Sequence, residues 1–558
     1  MKKNHRIIQC LALMALLVGP VMAQAQFSYE TNGSDITLAL YTGSGGAVTI
    51  SNFVTTIGSN AFAENGYVTT ITIPDSVTNI QTGAFSISSV TEFVVNAQNA
   101  DYSSLDGVLF NKTQTALIHY PGGNAASSYT IPNNVTNIGD FAFYFCSLTS
   151  VKIPGSLTSI GDDAFCNCAL TNVAIPDSVT TIGDSAFQEC EFLNSATIGS
   201  GVTNFGDSVF SQCYLLTHVT MGSGATSIGP YEFYECFDLA AIKIPNSVAT
   251  IEDGAFLGCP LTSLVIPTSL TTLGNAFAGC PLTNVTIPDS LTTIGDGAFS
   301  GCSLTSVTIP DSVTTIGYEA FSSCEGLTTV TIPESVTNIG AEVFYFCFNL
   351  TNITVDPSNL FYSSAAGVLF DKNQTALVEA PVGISGSYTV PNTVTSISAY
   401  AFDSCRYLTS VTIGGGVTSI GGQAFGDCIS LRAVYFQGNA PTITNSEPFD
   451  EIGGAPSAYY LPGTTGWGAF NEESGLAPAV LWNPHVQTGD ASFGVVSNQF
   501  GFNITGPNNL VVVVEACTNL SNPVWVPVAT NTLTGGASYF SDPQWTNYPN
   551  RFYGVSFP

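Results

Sequence analysis

Charged side chains are scarce in this sequence of 558 residues, where they make up 9% of the total. Ten Lys and Arg stand against 40 Asp and Glu, so the formal net charge is −30. Because 45% of the residues are hydrophobic, the chain lacks the low hydrophobicity and high charge of a disordered protein. The acidic excess repels phosphate backbones and no basic cluster opposes it, which argues against nucleic acid as a partner.

Motifs of catalysis and cofactor binding are also missing. The four His belong to no Ser-His-Asp or metal-ligand pattern, and no glycine-rich phosphate-binding loop is present. A glycosidase-like pair of carboxylates remains an alternative, but the repeats described below account for most Asp and Glu. The sequence therefore predicts a protein that is not an enzyme and has no catalytic residue, cofactor or metal site.

Long apolar runs are absent beyond the N-terminus. The one apolar run, Ile7–Val18, follows Lys2, Lys3 and Arg6 and precedes an Ala-Gln-Ala sequence at 23–25, the order of a secretory signal peptide. The run is too short to span a bilayer comfortably, so we expect no membrane insertion. Removal of residues 1–25 leaves seven basic and 40 acidic residues, a net charge of −33. The mature protein is therefore expected to be secreted or exposed at the cell surface.

One repeat organises most of the chain. The segment Leu304–Cys324 reads LTSVTIPDSVTTIGYEAFSSC, and Leu282–Cys302 has the same frame one period earlier. The phenylalanine of the frame recurs mostly every 21 to 23 residues, with two steps of 58. These marker phenylalanines are Phe62, Phe85, Phe143, Phe165, Phe187, Phe210, Phe233, Phe256, Phe277, Phe299, Phe321, Phe344, Phe402 and Phe425.

Each repeat is predicted to form one coil. Val307 and Ile309 alternate with polar residues, the period of a half-buried strand, and Pro310 ends that strand because it cannot donate a ladder hydrogen bond. Gly317 permits a turn, and Phe321 fills the corner on a single helical turn. Burying about six apolar side chains contributes roughly 2 kcal/mol each, less than the backbone entropy cost of about 1–2 kcal/mol per residue. Coils must therefore stack.

The frame, with Ile-Pro after the strand and Ala-Phe at the turn, resembles the BspA-like leucine-rich repeats of bacterial surface proteins. The resemblance extends over about residues 48–436. It implies a mostly β fold, a right-handed leucine-rich-repeat solenoid of parallel strands. It also implies attachment to proteins of a host or of a neighbouring cell, or to matrix.

The two steps of 58 residues contain inserts that match each other. Tyr102–Leu117 aligns with Tyr362–Leu377 without a gap. Each insert is predicted to be a β-hairpin, with strands at Gly107–Phe110 and Thr115–Tyr120 around a polar turn in the first copy. We expect both hairpins to project from the solenoid.

The flanking segments have their own patterns. Phe27–Tyr41 is predicted to be a hairpin that caps the first coil, and alternating apolar residues after Val486 predict a small all-β module. The predicted organisation is a signal peptide at 1–25, an N-terminal cap at 26–47, the solenoid at 48–436, an irregular cap and linker at 437–485, and a β-sandwich-like C-terminal module at 486–558.

Twelve cysteines share one repeat position. Stacked coils place equivalent Cα atoms about 5 Å apart, within disulfide range, but their side chains run parallel. The pattern favours a ladder of buried free thiols, with disulfides as the alternative. The residues are Cys146, Cys168, Cys190, Cys213, Cys236, Cys259, Cys280, Cys302, Cys324, Cys347, Cys405 and Cys428.

An acidic row follows the turn glycine in four consecutive coils, at Asp140, Asp162, Asp184 and Asp207. Such a row suits Ca²⁺, which prefers oxygen ligands. The favoured interpretation is that each Asp caps the short helical turn carrying the marker Phe. Pro230 ends the row at the next coil, which weakens the metal hypothesis.

The outward side chains of the predicted strands form a broad, nearly uncharged surface, the strand face. We predict that it recognises a protein or glycan. The alternative is that Thr simply favours strands and keeps the exterior soluble. The residues chosen are Lys152, Asn172, His218, Thr220, Lys243, Ser263, Asn284, Thr286, Ser306 and Thr308.

The sequence thus favours a secreted or surface-exposed binding or adhesion protein. A structural cell-envelope scaffold is one alternative. Another is a polysaccharide-binding accessory protein that acts through the C-terminal module, because all four Trp lie in the last quarter of the chain and Trp stacks well on sugars. They are Trp467, Trp482, Trp525 and Trp545.

Overall fold

The computed structural model describes residues 26–556 except 64–65, 87–88, 451, 454–455, 462, 477, 482–483, 497, 507–510 and 522. The predicted signal peptide lies outside the described residues. The chain divides into two compact units. The first contains the chain up to Ser385 with Ile397–Tyr407 and Gln423–Cys428; the second contains Gly386–Ser396, Leu408–Gly422 and Ile429–Pro558.

Successive coils are joined by parallel strand pairing on two sides, which confirms the predicted solenoid. The first ladder is formed by the segment that precedes the repeat proline. Its strands are Gly46–Thr49, Val68–Ile73, Glu92–Val95, Ser128–Thr130, Ser150–Lys152, Asn172–Ile175, Ser195–Ile198, His218–Thr220, Thr329–Ile332, Asn352–Val355, Ser385–Thr389, Tyr407–Ile413, Ala433–Phe436, Ser457–Tyr460 and Val480–Leu481.

The second ladder is formed by the residues that precede the turn glycine. Its pairs stay in register, as in Thr181 with Asn204 and Ile182 with Phe205. Its strands are Asp35–Tyr41, Thr56–Ile57, Asn79–Ile80, Asn137–Ile138, Ser159–Ile160, Thr181–Ile182, Asn204–Phe205, Ser227–Ile228, Thr250–Ile251, Thr272–Leu273, Thr293–Ile294, Thr315–Ile316, Asn338–Ile339, Ser396–Ile397, Ser419–Gly421 and Thr442–Thr444.

The turn side, between the second ladder and the repeat cysteine, corrects the predicted helical turn. Phe141 and Phe145 have φ of 57° and 55°, and most coils repeat these two left-handed residues around Ala-Phe. Left-handed residues interrupt a right-handed helix. They also turn every second N–H toward the next coil, so that Phe143 donates to Ala164 O at 2.7 Å and Phe145 to Cys166 O at 3.0 Å. The turn side is therefore a third backbone ladder.

The marker phenylalanines form a continuous stack inside the first unit. From Phe143 to Phe344, neighbouring ring centroids lie 4.6–6.0 Å apart and the ring planes differ by 2–17°. These spacings are in the range of favourable aromatic contacts. All ten rings are fully buried, so the stack is the central line of the core.

The repeat cysteines form the predicted ladder of free, buried thiols. From Cys168 to Cys347, and at Cys428, each Sγ donates to the carbonyl of the marker phenylalanine in the preceding coil, as Cys190 does to Phe165 O at 3.1 Å and Cys213 to Phe187 O at 3.2 Å. Cys146 Sγ instead lies 3.1 Å from Cys168 Sγ, and Cys405 Sγ lies 3.9 Å from Pro381 O. Burial raises the pKa of Cys213 well above its ordinary value, which keeps the thiol protonated as a donor.

The two inserts do not project, contrary to the sequence prediction. Each forms three antiparallel strands, and the last strand of the first insert pairs in parallel with Asn137–Ile138 of the second ladder. Phe110 and Phe370 are fully buried, because the apolar middle strand packs into the core. The strands are Tyr102–Leu105, Val108–Asn111 and Ala116–His119 in the first copy, and Tyr362–Ala365, Val368–Asp371 and Ala376–Glu379 in the second.

Paired asparagines explain why the inserts have matching structures. Asn99 Nδ2 donates to Pro74 O and Val77 O at 2.7 and 2.9 Å, while its Oδ1 accepts from two backbone N–H groups. Asn359 makes the equivalent bonds in the second copy. Lys112 Nζ donates to Asn99 O at 2.6 Å, and Lys372 donates to Asn359 O. The two insert lysines therefore stabilise the turns that contain Asn99 and Asn359.

The N-terminal hairpin of Phe27–Asn32 and Asp35–Tyr41 is present as predicted, and its second strand pairs with Thr56–Ile57. At the other end, both ladders continue past Phe436, where the sequence frame ends. Ala433–Phe436 pairs in parallel with Ser457–Tyr460. A short helix, Trp467–Glu473, follows. Among the described residues there is no helix with the length and apolar character needed to cross a bilayer.

The C-terminal module consists of two antiparallel sheets, in agreement with the predicted all-β character. Its buried residues include Phe502, Ile504, Val512, Val514 and Phe540. A 3₁₀ turn lies at Trp545–Asn547. The strands are His485–Gln487, Gly494–Val496, Gln499–Thr505, Val511–Cys517, Val526–Thr532, Ala537–Asp542 and Phe552–Ser556.

Candidate functional site

All ten side chains of the strand face are exposed on the first ladder. Strand register brings Asn172 and His218 into one row, with Ser195 between them. Thr220 is bridged to Lys243, and Thr286 to Thr308. No pairing joins Lys152 to the Asn172 strand, and none joins the segments of Lys243 and Ser263, among the described residues. The predicted residues therefore share a face but fall into separate hydrogen-bonded groups.

The middle of this face has little regular strand pairing. From Thr220 to Thr308 the first ladder is reduced to single bridges. Buried side chains such as Ile266 and Ile287 lie beneath it, so packing supports this part of the surface.

Three side chains, from His218 to Val265, give this part of the strand face its local character. His218 Nδ1 lies 2.7 Å from Thr217 Oγ1, which restrains the imidazole ring at the surface. Val265 is 82% exposed, an unusual environment for a large aliphatic side chain. An imidazole, the Lys243 ammonium and an isolated apolar group therefore interrupt an otherwise hydroxyl-rich face.

The acidic row has a different role from the predicted helix capping. Asp140 Oδ1 accepts the backbone N–H of Asp162 at 3.0 Å, and Asp162 and Asp184 accept in the same way from the coil that follows each. Each carboxylate therefore joins adjacent coils, because the same position one coil later supplies the donor. Pro230 has no N–H, so this relay ends at Asp207. No group of three or more potential metal-ligating side chains is found in the described parts of the chain.

Three buried ionisable groups lie near the turn side. Glu232 replaces the Ala of the Ala-Phe pair; it is 1% exposed and neither carboxyl oxygen has a hydrogen-bond partner of normal geometry. Burial raises its pKa well above the ordinary value. His119 and Glu379 are at equivalent positions of the two inserts, and burial lowers the pKa of His119 to about 4 and raises that of Glu379 to about 8. Glu379 Oε1 accepts the Phe344 N–H at 3.0 Å.

A second surface was not predicted from the sequence. It lies at the corner where the turn side leads into the first ladder, around the repeat cysteines of three consecutive coils. Phe192 and Phe237 are 56% and 53% exposed, and the rings of Tyr214 and Phe237 stack at 5.5 Å. This corner patch comprises Glu189, Glu191, Phe192, Tyr214, Glu235 and Phe237.

The carboxylates of the corner patch are held in place by neutral neighbours. Asn167 Nδ2 donates to Glu189 Oε2 at 2.6 Å, and Gln212 Nε2 donates to Glu235 Oε2 at 3.1 Å. Partial burial raises the pKa of Tyr214, and the negative charges of the nearby glutamates raise it further. The detectable signal in the sequence is that aromatic residues follow Cys213 and Cys236 directly in two consecutive coils.

Comparison with known proteins agrees with this architecture. The sequence matches the BspA type leucine rich repeat region in six segments, 41–125, 120–236, 158–276, 226–303, 274–367 and 385–451. Together these segments cover most of the chain. The protein belongs to the BspA-type leucine-rich-repeat family.

Solved structures of leucine-rich proteins from bacteria are also similar to the chain. A leucine-rich repeat protein of Bacteroides ovatus is 22% identical, over 79% of this chain and 95% of its own, with a TM-score of 0.42. A leucine-rich cell surface protein of Faecalibacterium prausnitzii is 22% identical, over 83% of this chain and 94% of its own, with a TM-score of 0.21. No curated protein compared with the chain matches it.

The tryptophans of this BspA-type protein have different environments. Trp467 is 8% exposed and stacks on Tyr460 at 4.7 Å, so it is part of the core. Trp525 is 38% exposed. Trp482 lies outside the described residues. Trp545 is only partly exposed and donates its indole N–H to Asn498 O at 3.2 Å, so Trp525 is the clearer candidate for sugar stacking in the C-terminal module.

Proposed function

We propose that this BspA-type protein is a secreted or surface-exposed binding or adhesion protein, and that its strand face recognises an extracellular protein or glycan. The observation that carries the proposal is that all ten strand-face side chains are exposed on one side of the solenoid. A solenoid presents an extended binding surface because each coil adds a row of side chains. The proposed role is binding, since the exposed groups are hydroxyl, amide and isolated basic side chains.

The middle coils are proposed as the centre of recognition. His218 and Lys243 supply the imidazole and ammonium groups of an otherwise hydroxyl-rich surface, and Val265 supplies an apolar contact. A few such residues carry most of the binding free energy in typical interfaces. A partner with a carboxylate or carbonyl-rich surface would pair with this chemistry.

The test begins with arrays of extracellular proteins and glycans probed with the mature chain. The strongest partner is then measured against a His218→Ala/Lys243→Ala variant, and we expect its affinity to fall at least about tenfold, as for two central interface residues. An Asp289→Asn/Asp311→Asn variant is the control, because both carboxylates are exposed and distant in sequence from the strand-face residues replaced. Equal affinities for wild type and the His218/Lys243 variant would overturn the proposal.

Polysaccharide binding by the C-terminal module is a second candidate function. Trp525 and Tyr548 are 38% and 40% exposed, and Arg551 lies over the Tyr548 ring at 4.1 Å. Val526, Tyr548 and Arg551 also line a surface depression of about 660 Å³. If this module binds the partner, Trp525→Ala will abolish binding while the His218/Lys243 variant binds normally.

A further inference from the structure

Arg406 shows how the turn side of this protein accommodates a guanidinium group. Its guanidinium carbon lies 4.6 Å from the ring centroid of Phe348 and 5.4 Å from that of Phe346. Its Nη2 atom is 2.6 Å from Asp427 Oδ2. A cation over an aromatic face that also pairs with a carboxylate gains two favourable electrostatic interactions. This arrangement is built entirely from residues that flank repeat cysteines.

The corner patch has the same residue types at the same repeat positions. Phe237 follows Cys236 directly, as Phe348 follows Cys347, and Glu235 directly precedes the cysteine, as Asp427 precedes Cys428. The patch contains no basic residue. The corner patch therefore presents aromatic and carboxylate side chains at the repeat positions that Phe348 and Asp427 occupy around Arg406, but without an arginine.

Among the described residues, no basic side chain forms an ion pair with a carboxylate of the corner patch. The ion pairs found among the described residues are Arg406–Asp427 and Arg551–Asp542, and neither involves the corner patch. Lys112 and Lys372 are bonded to insert carbonyls. Lys152 and Lys243 lie on the strand face. Each basic residue that the structure describes in the first unit thus has another position or partner.

The patch is also sterically open above Phe237. In the next coil Gly258 occupies the position before the cysteine, and the nearest ring atom to a Cβ added there would be Phe237 Cε1 at 3.7 Å. Gly258 has no side chain to cover the Phe237 ring, and Phe237 is 53% exposed. Phe348, beside Arg406, is only partly exposed.

We propose that the corner patch binds an arginine-bearing segment of a partner protein. Guanidinium groups stack on Tyr214 and Phe237 and pair with Glu189 and Glu235, as Arg406 does with Phe348 and Asp427. Arginine fits better than lysine because its planar group stacks on rings and forms two directed hydrogen bonds. The site is separate from the ten residues of the strand face and stands whether or not that face binds a partner.

The test uses the mature full-length chain and a synthetic peptide of six Arg-Gly repeats, with a Lys-Gly peptide for comparison. Binding is measured by fluorescence anisotropy near physiological ionic strength, because screening there reduces non-specific attraction to the acidic protein. We expect the arginine peptide to bind at least about threefold more tightly than the lysine peptide. Equal binding of the two peptides would overturn the proposal.

Two double variants separate stacking from charge. Tyr214→Ala/Phe237→Ala and Glu189→Gln/Glu235→Gln should each weaken arginine-peptide binding about tenfold. Asp289→Asn/Asp311→Asn removes the same charge elsewhere and should change affinity less than about twofold. If all charge variants lose affinity equally, or if the aromatic variant binds like wild type, the attraction is general and the site does not exist.

Two further measurements keep these outcomes distinguishable. Circular dichroism should show unchanged folding for both patch variants, since the replaced rings and carboxylates lie outside the buried core. The His218→Ala/Lys243→Ala variant should retain peptide binding. Loss of peptide binding in that variant, with the patch variants unaffected, would show that the arginine peptide binds at the strand face and not at the corner patch.

Discussion

The turn side and the strand face belong to the same repeat but differ in burial and in the bonds that join neighbouring coils. On the turn side, Phe210 and Cys213 are fully buried, and the thiol donates to a carbonyl of the preceding coil. On the strand face, Thr220 and Lys243 are exposed and joined by a single backbone bridge. Stability is therefore concentrated on the turn side, and the strand face tolerates variation. The predictions below test this division, from the largest expected effect to the smallest.

Removing one ring from the phenylalanine stack should have the largest effect. Phe210→Ala is expected to lower the free energy of unfolding by about 3–5 kcal/mol, because it deletes a fully buried aromatic side chain and leaves a cavity. Urea denaturation followed by circular dichroism measures the change. Phe192→Ala is the matched control, since Phe192 is 56% exposed. A loss below that of the control would contradict a continuous core stack.

Restoring the repeat residue at Glu232 should stabilise the protein. Glu232→Ala removes a buried carboxyl group that has no hydrogen-bond partner of normal geometry, so we expect a gain of about 1–3 kcal/mol at pH 7. Because burial raises the pKa of Glu232 from 4.5, the folded state favours the protonated form. Wild-type stability must then fall as pH rises above 4.5, and the gain from Ala must shrink toward pH 4.

Thermal unfolding of both proteins from pH 4 to 8 measures this difference. Glu235→Ala serves as the control, because Glu235 is only partly buried and accepts a hydrogen bond from Gln212. A Glu232→Ala variant less stable than wild type at pH 7 would show that the buried carboxyl has a stabilising role.

The thiol ladder should contribute moderately. Cys213→Ala removes the Sγ donor to Phe187 O, and we expect a loss of about 1 kcal/mol, typical of one buried hydrogen bond. Denaturant unfolding under reducing conditions provides the value. If Cys213→Ala is as stable as wild type, the hydrogen bond from Cys213 Sγ contributes nothing measurable to stability.

Substitution on the strand face should have the smallest effect. Thr220→Ala and Thr286→Ala are expected to change the free energy of unfolding by no more than about 0.5 kcal/mol, because both side chains are exposed. The same urea experiment applies. A loss above 2 kcal/mol, roughly that of a buried residue, would mean that the strand face is under structural constraint and is less free to vary for recognition.

The periodic sequence predicted the parts of this fold that lie within one coil. Alternation at Val307 and Ile309 placed those residues inside, and the single repeat position of the cysteines led to the ladder of buried thiols that the structure contains. The strand-face residues were also correctly predicted to be exposed. Whether they bind a partner stays a prediction.

Predictions that depended on contacts between coils were less successful. Asp162 was expected to cap a helical turn within its own coil, yet its acceptor oxygen bonds to the N–H of Asp184 in the next coil. The inserts were expected to project, because nothing in their local pattern showed that Phe110 packs into the core. The corner patch was missed because its aromatic and acidic residues belong to three different coils.

The sequence by itself determined the repeat length, the inward apolar positions and the lines of Phe and Cys, because each is a local periodicity. Only the tertiary structure decided which atoms meet across coils, since the partners lie about one repeat apart and stacking sets their register. The left-handed turn residues, Phe141 among them, show the reason. Their backbone is unfavourable in isolation, and the N–H bonds to the next coil make it the stable arrangement.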